Sequence, residues 1–234
     1  MPTQQNVDVR PAEQRRHFDP DLPPLDERPL LRGRLHQIAA IASAFGLLWL
    51  IRVAPTAQAR VAACVYGTSA VLLYFTSTTY HVFSRTDRTR LFMRRLDHSM
   101  IYVLIAGSFT PICVLAMDGW SRWLVLGVVW AGALTGVAFK VIAGHRFPRF
   151  GFALYLMLGW AGILAFPTLM GHPTRLVLVA TAGLLYTVGA ILFSLHWPLP
   201  KSKWFGYHEV WHTLVVIAGV LLFAANFGII SSAA

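Results

Sequence analysis

Seven long runs of apolar residues, separated by short polar segments, dominate the pattern of the chain. Each run holds close to the roughly 20 residues that an α-helix needs to cross the hydrocarbon core of a bilayer. The connections between runs are mostly shorter than a dozen residues, so consecutive helices are expected to be antiparallel neighbours. The predicted spans are 35–51, 61–83, 97–117, 123–142, 152–170, 176–195 and 208–230.

Composition agrees with this pattern. Hydrophobic residues make up 56% of the chain and charged residues only 13%, whereas soluble domains carry roughly 25% charge. We therefore predict an all-α polytopic membrane protein, a bundle of seven transmembrane helices over 34–234. Residues 1–33 are polar, proline-bearing and of mixed charge, and we expect a disordered cytoplasmic tail there because such a segment buries too little apolar surface to fold alone.

The positive charges are distributed unequally between the two ends of the predicted bundle. Sixteen Lys and Arg residues lie in the N-terminal tail and the 2–3, 4–5 and 6–7 connections, and only four on the other side. The positive-inside rule then predicts a cytoplasmic N-terminus and an external C-terminus. The net charge of +10 is therefore interpreted as a topology signal and not as a nucleic-acid surface. The excess of Arg over Lys and the compact length favour a bacterial inner membrane.

Three histidines lie at span ends that this topology brings to one side of the membrane. His81 closes the second span, whereas His208 and His212 open the seventh. Ionisable groups at membrane depth are costly and mark functional sites. Histidines four residues apart on a helix have metal-ligand spacing, and a third from another helix completes a tri-histidine zinc site with an open fourth position. An isolated interfacial histidine is the alternative for each residue taken singly.

Polar neighbours of these histidines have two interpretations each. Asp97, at the predicted start of the third span, either caps its helix or holds and deprotonates a water at the metal. Ser77, one turn before His81, either bonds its own helix or orients a ligand or an acyl oxygen. Glu209 completes a His-Glu-x-x-His sequence, whose glutamate is a general base in zinc proteases. No soluble fold is present for a peptide cleft, so Glu209 either activates water or simply favours the first helical turn.

The remaining polar and irregular positions receive smaller roles. His98 points away from the direction of Asp97 and is expected to contribute to the site at most indirectly, and the other histidines are assigned to tails or loops without a role (His17, His36, His145, His172 and His196). The arginines around the 2–3 connection are interpreted mainly as topology determinants. Their position beside the proposed site also makes them a candidate surface for an anionic lipid headgroup. Pro111 and Pro167 lie inside predicted spans and predict kinks, and Gly132 with Gly136 predicts close helix approach.

The motifs taken together resemble the hemolysin III family, the bacterial branch of the progestin and adipoQ receptor superfamily. They are Ser-x-x-x-His ending at His81, Leu-Asp-His-Ser at 96–99, Ala-Gly-Ser-Phe-Thr-Pro at 106–111 and His-x-x-x-His ending at His212. The resemblance covers about residues 30–230. It implies seven helices, a cytoplasmic N-terminus and a Zn²⁺ ion held by His81, His208 and His212, with Asp97 and Ser77 as the associated polar pair.

Three classes of activity are compatible with this resemblance. Related alkaline ceramidases imply hydrolysis of a lipid amide, and we favour a membrane-homeostasis protein that cleaves a lipid amide or ester with zinc. A receptor or regulator with structural zinc is the first alternative, and a cytolytic pore is the second, although the spans lack a polar stripe to line a water-filled path. The expected partners are membrane lipids, including a lipid amide or fatty-acyl ligand, and not nucleic acid.

Overall fold

A computed structural model describes residues 29–143, 148–197 and 203–233 of the chain. Within these ranges the structure is helical and contains no strand. Seven helical segments are long and apolar enough to cross a membrane, which confirms the predicted fold class. The helices, with their labels, are α1 (Arg34–Val53), α2 (Ala57–Thr78), α3 (Asp87–Pro111), α4 (Ser121–Ala143), α5 (Pro148–Trp160), α6 (Pro173–Ser194) and α7 (Tyr207–Ser231).

The start of α3 corrects the sequence prediction by ten residues. The helix begins at Asp87, and the hydroxyl of Thr86 accepts a hydrogen bond from the backbone N–H of Thr89 within a capping box. The charged turns that follow were assigned to a loop because they are not apolar, yet they are helical and extend the span beyond its hydrophobic part. Asp97 therefore lies nearly three turns inside α3. The interpretation of Asp97 as a helix cap is wrong.

Three of the spans contain irregular helical turns. A π-helix over Thr79–Phe83 continues α2, and another over Ile112–Ala116 follows directly after Pro111 at the end of α3. The fifth span is divided into α5, a 3₁₀ segment over Ala161–Ala165 and a short helix over Phe166–Met170. Pro167 occupies the first turn of that short helix, where its missing N–H costs no hydrogen bond. Both prolines thus mark breaks in regular helix.

The helices pack in sequence order, and α7 returns to contact α1. One apolar cluster joins α3, α4 and α5 around Tyr102, Phe109 and Val129. A second joins α1, α2 and α7 around Leu50 and Tyr74. The outward faces of α1 and α6 are apolar and exposed, which is the arrangement expected of helices that face lipid.

Small residues allow close helix contacts inside the bundle, as the sequence predicted. A Cβ atom placed on Gly136 of α4 would lie 2.5 Å from the ring of Tyr102 on α3. One placed on Gly132 would lie 2.7 Å from Leu158 on α5. Any side chain at these positions would collide with its neighbour, so the two glycines set the distance of α4 from α3 and α5.

One end of the bundle collects the starts of α1, α3 and α7 and the end of α2. The segment before α1 is tied to the segment before α7, because the backbone N–H of Leu30 donates to the carbonyl of Lys203 at 3.0 Å and that of Leu31 to the carbonyl of Trp204 at 3.3 Å. Residues 1–28 of the predicted tail lie outside the described residues. The candidate functional side chains identified from the sequence all belong to this end.

Candidate metal centre

His81, His208 and His212 meet at this end of the bundle. His81 lies in the π-helical turn after α2, and the other two occupy the first two turns of α7. One nitrogen from each imidazole lies within 4.8 Å of the others, and His81 and His212 are buried. The structure therefore brings together the three residues that the spacing and topology had selected.

The separation of two of the nitrogens matches a tetrahedral metal site. Nε2 of His81 lies 3.3 Å from Nε2 of His208. Two nitrogens bonded at about 2.0 Å to a tetrahedral zinc lie about 3.3 Å apart. The three rings are inclined to one another by 64° to 80°, with centroids 4.7–4.9 Å apart. They converge through their edges and do not stack.

The π-helical turn determines where His81 points. The backbone N–H of Ser84 donates to the carbonyl of Thr79 at 3.0 Å, five residues earlier, which closes the wide turn. The preceding threonine hydroxyls donate to carbonyls of their own helix, so they do not compete for the site; Thr78, for example, donates to the carbonyl of Tyr74 at 2.8 Å. Single π-turns inside α-helices occur frequently at functional sites because they displace one side chain from the regular face.

Asp97 faces the histidines without joining them. Its Oδ2 lies 3.9 Å from Nε2 of His81, too far for a direct hydrogen bond and suited to a small ligand held between the two. The Ser77 hydroxyl is a hydrogen-bonding neighbour of this carboxylate, and the Arg94 guanidinium acts on it electrostatically. All three side chains are buried. The carboxylate is thus held beside the histidine group by residues of α2 and α3.

His36 belongs to this site, although the sequence interpretation placed it among loop histidines without a role. It is the third residue of α1, its side chain is buried, and its Nδ1 lies 2.8 Å from Oγ of Ser77. Its ring stacks on that of His212, with centroids 3.8 Å apart and planes 11° from parallel. The signal that was missed is topological, because α1 starts at the same end of the bundle as α7.

Glu209 is directed to the N-terminal segment. One carboxylate oxygen accepts the backbone N–H of Gly206 at 2.7 Å, and the other is hydrogen-bonded and ion-paired to Nε of Arg32. The residue is fully buried and caps the start of α7. These bonds account for its burial, since an acidic side chain in a first turn stabilises the helix. The predicted role of Glu209 in activating water is not needed to explain these bonds, and it stays a prediction.

The buried pair of Glu209 and Arg32 yields a stability prediction. Glu209→Gln should lower the free energy of unfolding by roughly 3 kcal/mol, because the Arg32 charge then loses its buried partner. Thermal unfolding in detergent measures the change.

The matched control is Asp118→Asn, which breaks the ion pair between Asp118 and Arg122. The Asp118 carboxylate is fully exposed, so its loss should leave the melting temperature nearly unchanged. Equal melting temperatures of the two variants would contradict a stabilising role for the buried pair.

The residues present fit a zinc ion. Nδ1 of His212 and Nε2 of His36 are buried and have no hydrogen-bond partner among the described residues. Buried unsatisfied nitrogens are rare and point to a ligand or an ordered water at the site. Three imidazoles with one adjacent carboxylate form a donor set that favours zinc over the harder Mg²⁺ or Ca²⁺. Three histidine ligands also leave a coordination position open.

Seven membrane-spanning helices, with three histidines converging at one end of which two are buried and His208 is half-buried, define a multi-pass membrane protein with a candidate metal centre inside the bundle. The family model described as Haemolysin-III related matches residues 26–223, which include all three histidines. The chain therefore belongs to the hemolysin III family, as its motifs indicated.

Two bacterial relatives match most of the chain. "Hemolysin-3" of Bacillus cereus is 38% identical over 195 residues, which cover 80% of this chain and 85% of the relative. "Hemolysin-3 homolog" of Bacillus subtilis (strain 168) is 32% identical over 195 residues, which cover 80% and 87% of the two chains. The matches therefore extend over most of this chain and most of both relatives.

Proposed function

We propose that this protein is a zinc-dependent hydrolase that cleaves an amide or ester bond of a membrane lipid and acts in membrane lipid homeostasis. One observation carries the proposal: three histidine nitrogens lie within 4.8 Å of one another, with a buried carboxylate oxygen 3.9 Å from the nearest of them. A carboxylate at that distance can accept a proton from a water held at the site, which is what a hydrolase needs.

His81, His208 and His212 would hold the ion. Bound zinc supplies Lewis acidity, which polarises a carbonyl and lowers the pKa of water toward 7. The Asp97 carboxylate holds the attacking water and takes its proton at Oδ2, as a general base must lie within hydrogen-bond reach of the proton that it removes. The Ser77 hydroxyl orients that carboxylate. Burial at the bundle end keeps bulk water from the reacting groups.

The proposed location is the cytoplasmic leaflet. The sixteen Lys and Arg residues counted along the sequence in the N-terminal tail and the 2–3, 4–5 and 6–7 connections favour the cytoplasmic side for this end of the bundle. The exposed arginines at the start of α3, among them Arg88 and Arg95, suit the headgroup region of anionic lipids. The acyl carbonyls of a lipid lie just below the headgroups, and we propose that Asp97 and His81 meet a substrate at that depth.

A non-enzymatic receptor is the second candidate. His81 follows α2, whereas His208 and His212 begin α7, so an ion held by all three joins two helices that are distant in sequence. Such an ion contributes folding energy outright and would stabilise one arrangement of the helices. The two functions differ in one measurable property, since only the hydrolase turns over lipid.

A cytolytic pore has less support, although the names of both relatives refer to hemolysis. Buried hydroxyls in the middle of the bundle donate to carbonyls of their own helices: Ser69 to Tyr66 at 2.6 Å and Thr110 to Ala106 at 2.9 Å. Hydroxyls satisfied in this way do not line a water-filled path, which needs polar groups directed into a lumen. We therefore place the chemistry at the tri-histidine end.

The hydrolase proposal is tested with purified protein in lipid nanodiscs. Long-chain acyl amides and acyl esters are supplied as substrates, and released fatty acid is measured by mass spectrometry. The native protein should release fatty acid, a chelator-stripped sample should lose this activity, and added Zn²⁺ should restore it. Stoichiometric zinc without metal-dependent cleavage of any substrate would favour the receptor and contradict the hydrolase.

A further inference from the structure

His36 connects three helices to the metal centre through two different contacts. From α1 it stacks on His212 of α7, and it shares a hydrogen bond of 2.8 Å with Ser77 of α2. The ring of Tyr74 lies edge-on to that of His36, with centroids 5.2 Å apart. The imidazole thus contacts both Tyr74 and His212, and only 3% of the residue is exposed.

The hydrogen bond between His36 and Ser77 links α1 to the residue beside Asp97. Nδ1 of His36 lies 2.8 Å from Oγ of Ser77, and which of the two donates depends on the tautomer of the imidazole. The Ser77 hydroxyl is in turn a hydrogen-bonding neighbour of Asp97. The contacts therefore run from His36 through Ser77 to the carboxylate that faces His81.

We propose that His36 is a positioning residue of the metal centre: its stacked ring fixes the orientation of the His212 imidazole, and its hydrogen bond fixes the Ser77 hydroxyl. The inference rests on the proposed tri-histidine metal site. Helix α1 supplies no ligand to the ion, yet through His36 it would set the geometry of the ligands before the ion binds. Residues that orient metal ligands typically change metal affinity by roughly 10–100-fold when replaced.

Zinc affinity and the spectrum of bound Co²⁺ measure this role without any assay of activity. His36→Ala in the full-length protein should weaken Zn²⁺ binding by roughly 10–100-fold in a chelator competition. The visible absorption of the Co²⁺-loaded protein should change in position or intensity, because these bands report ligand geometry. A residue that only supports the fold would alter neither the affinity of the folded protein nor the cobalt spectrum.

Two further replacements separate the contacts and remain informative if His36→Ala does not fold. His36→Phe keeps a flat ring for stacking on His212 but cannot hydrogen-bond to Ser77, whereas His36→Asn keeps a short hydrogen-bonding side chain and loses the ring. Each should bind Zn²⁺ more weakly than the native protein and more tightly than His36→Ala. Ser77→Ala should weaken binding in the native background and cause little further loss in His36→Ala, because the bond is already absent there.

Val129→Ala is the matched control, since it removes buried volume from the α3–α4–α5 cluster without touching the site. It should lower the melting temperature and leave both metal readouts unchanged. Native affinity and a native cobalt spectrum in His36→Ala would overturn the positioning role while leaving the metal centre intact. Independent, multiplying losses from His36→Ala and Ser77→Ala would overturn it as well. A native protein that binds no Zn²⁺ would instead overturn the metal centre itself.

Discussion

His212→Ala should remove most of the zinc from the purified protein, which is expected to carry about one ion per chain because the three histidines define one site. The effect should be large because His212 is buried between His36 and the other ligands, so no exposed side chain can replace it. His208→Ala should have the same effect. Elemental analysis after gel filtration in detergent measures the occupancy directly.

The control for this experiment is His172→Ala. His172 is an exposed histidine that precedes α6 at the opposite end of the bundle, and its loss should leave the zinc content unchanged. Thermal unfolding adds a second readout, since loss of a bound ion removes its contribution to folding. Full zinc occupancy in His212→Ala would mean that the ligands are assigned wrongly.

Asp97→Asn should retain zinc but lower the rate of lipid cleavage by roughly 100-fold or more. The amide has nearly the shape of the carboxylate and cannot accept the proton, and general base catalysis contributes 10²- to 10⁴-fold in typical enzymes. Asp97 is not a member of the ligand group, so the ion should remain bound. Released fatty acid and zinc content are measured on the same sample.

Two comparisons make the Asp97 result specific. Ser77→Ala should lower the rate less, because Ser77 orients the carboxylate and does not take the proton. Glu209→Gln should lower stability more than it lowers the rate of the folded protein, because both Glu209 oxygens are bound to Gly206 and Arg32. If Asp97→Asn cleaves lipid at the native rate, the proton acceptor is another group; if it loses its zinc, the carboxylate serves the ion directly.

Hydrophobic length was sufficient to predict the seven helices. Apolar runs of about twenty residues have one stable arrangement in a bilayer, because every backbone polar group must be satisfied within the helix. The ends of the helices were less well predicted. The three charged turns before Asp97 have no apolar signal, yet the Thr86 cap starts α3 there and places Asp97 deep inside a helix.

The three candidate ligands could also be proposed from sequence, because i, i+4 spacing in α7 and the alternation of antiparallel helices both follow from counting residues. The role of His36 could not be proposed from the sequence. An interhelical ring stack of 3.8 Å and a hydrogen bond between residues 41 positions apart depend on the rotation of α1 about its axis and on its distance from α7. Local sequence patterns do not encode these quantities.

The sequence by itself determined the class of protein, the seven spans and the residues able to ligate a metal, since each depends on composition and on regular helical periodicity. Tertiary structure alone decided the division of roles among the polar residues at the site. It directed Glu209 toward Arg32, turned His81 inward on a π-helical turn and brought His36 against His212. The physical reason is that the burial of a side chain and its ion-pair, hydrogen-bond and ring partners depend on contacts between helices, which only the packed bundle defines.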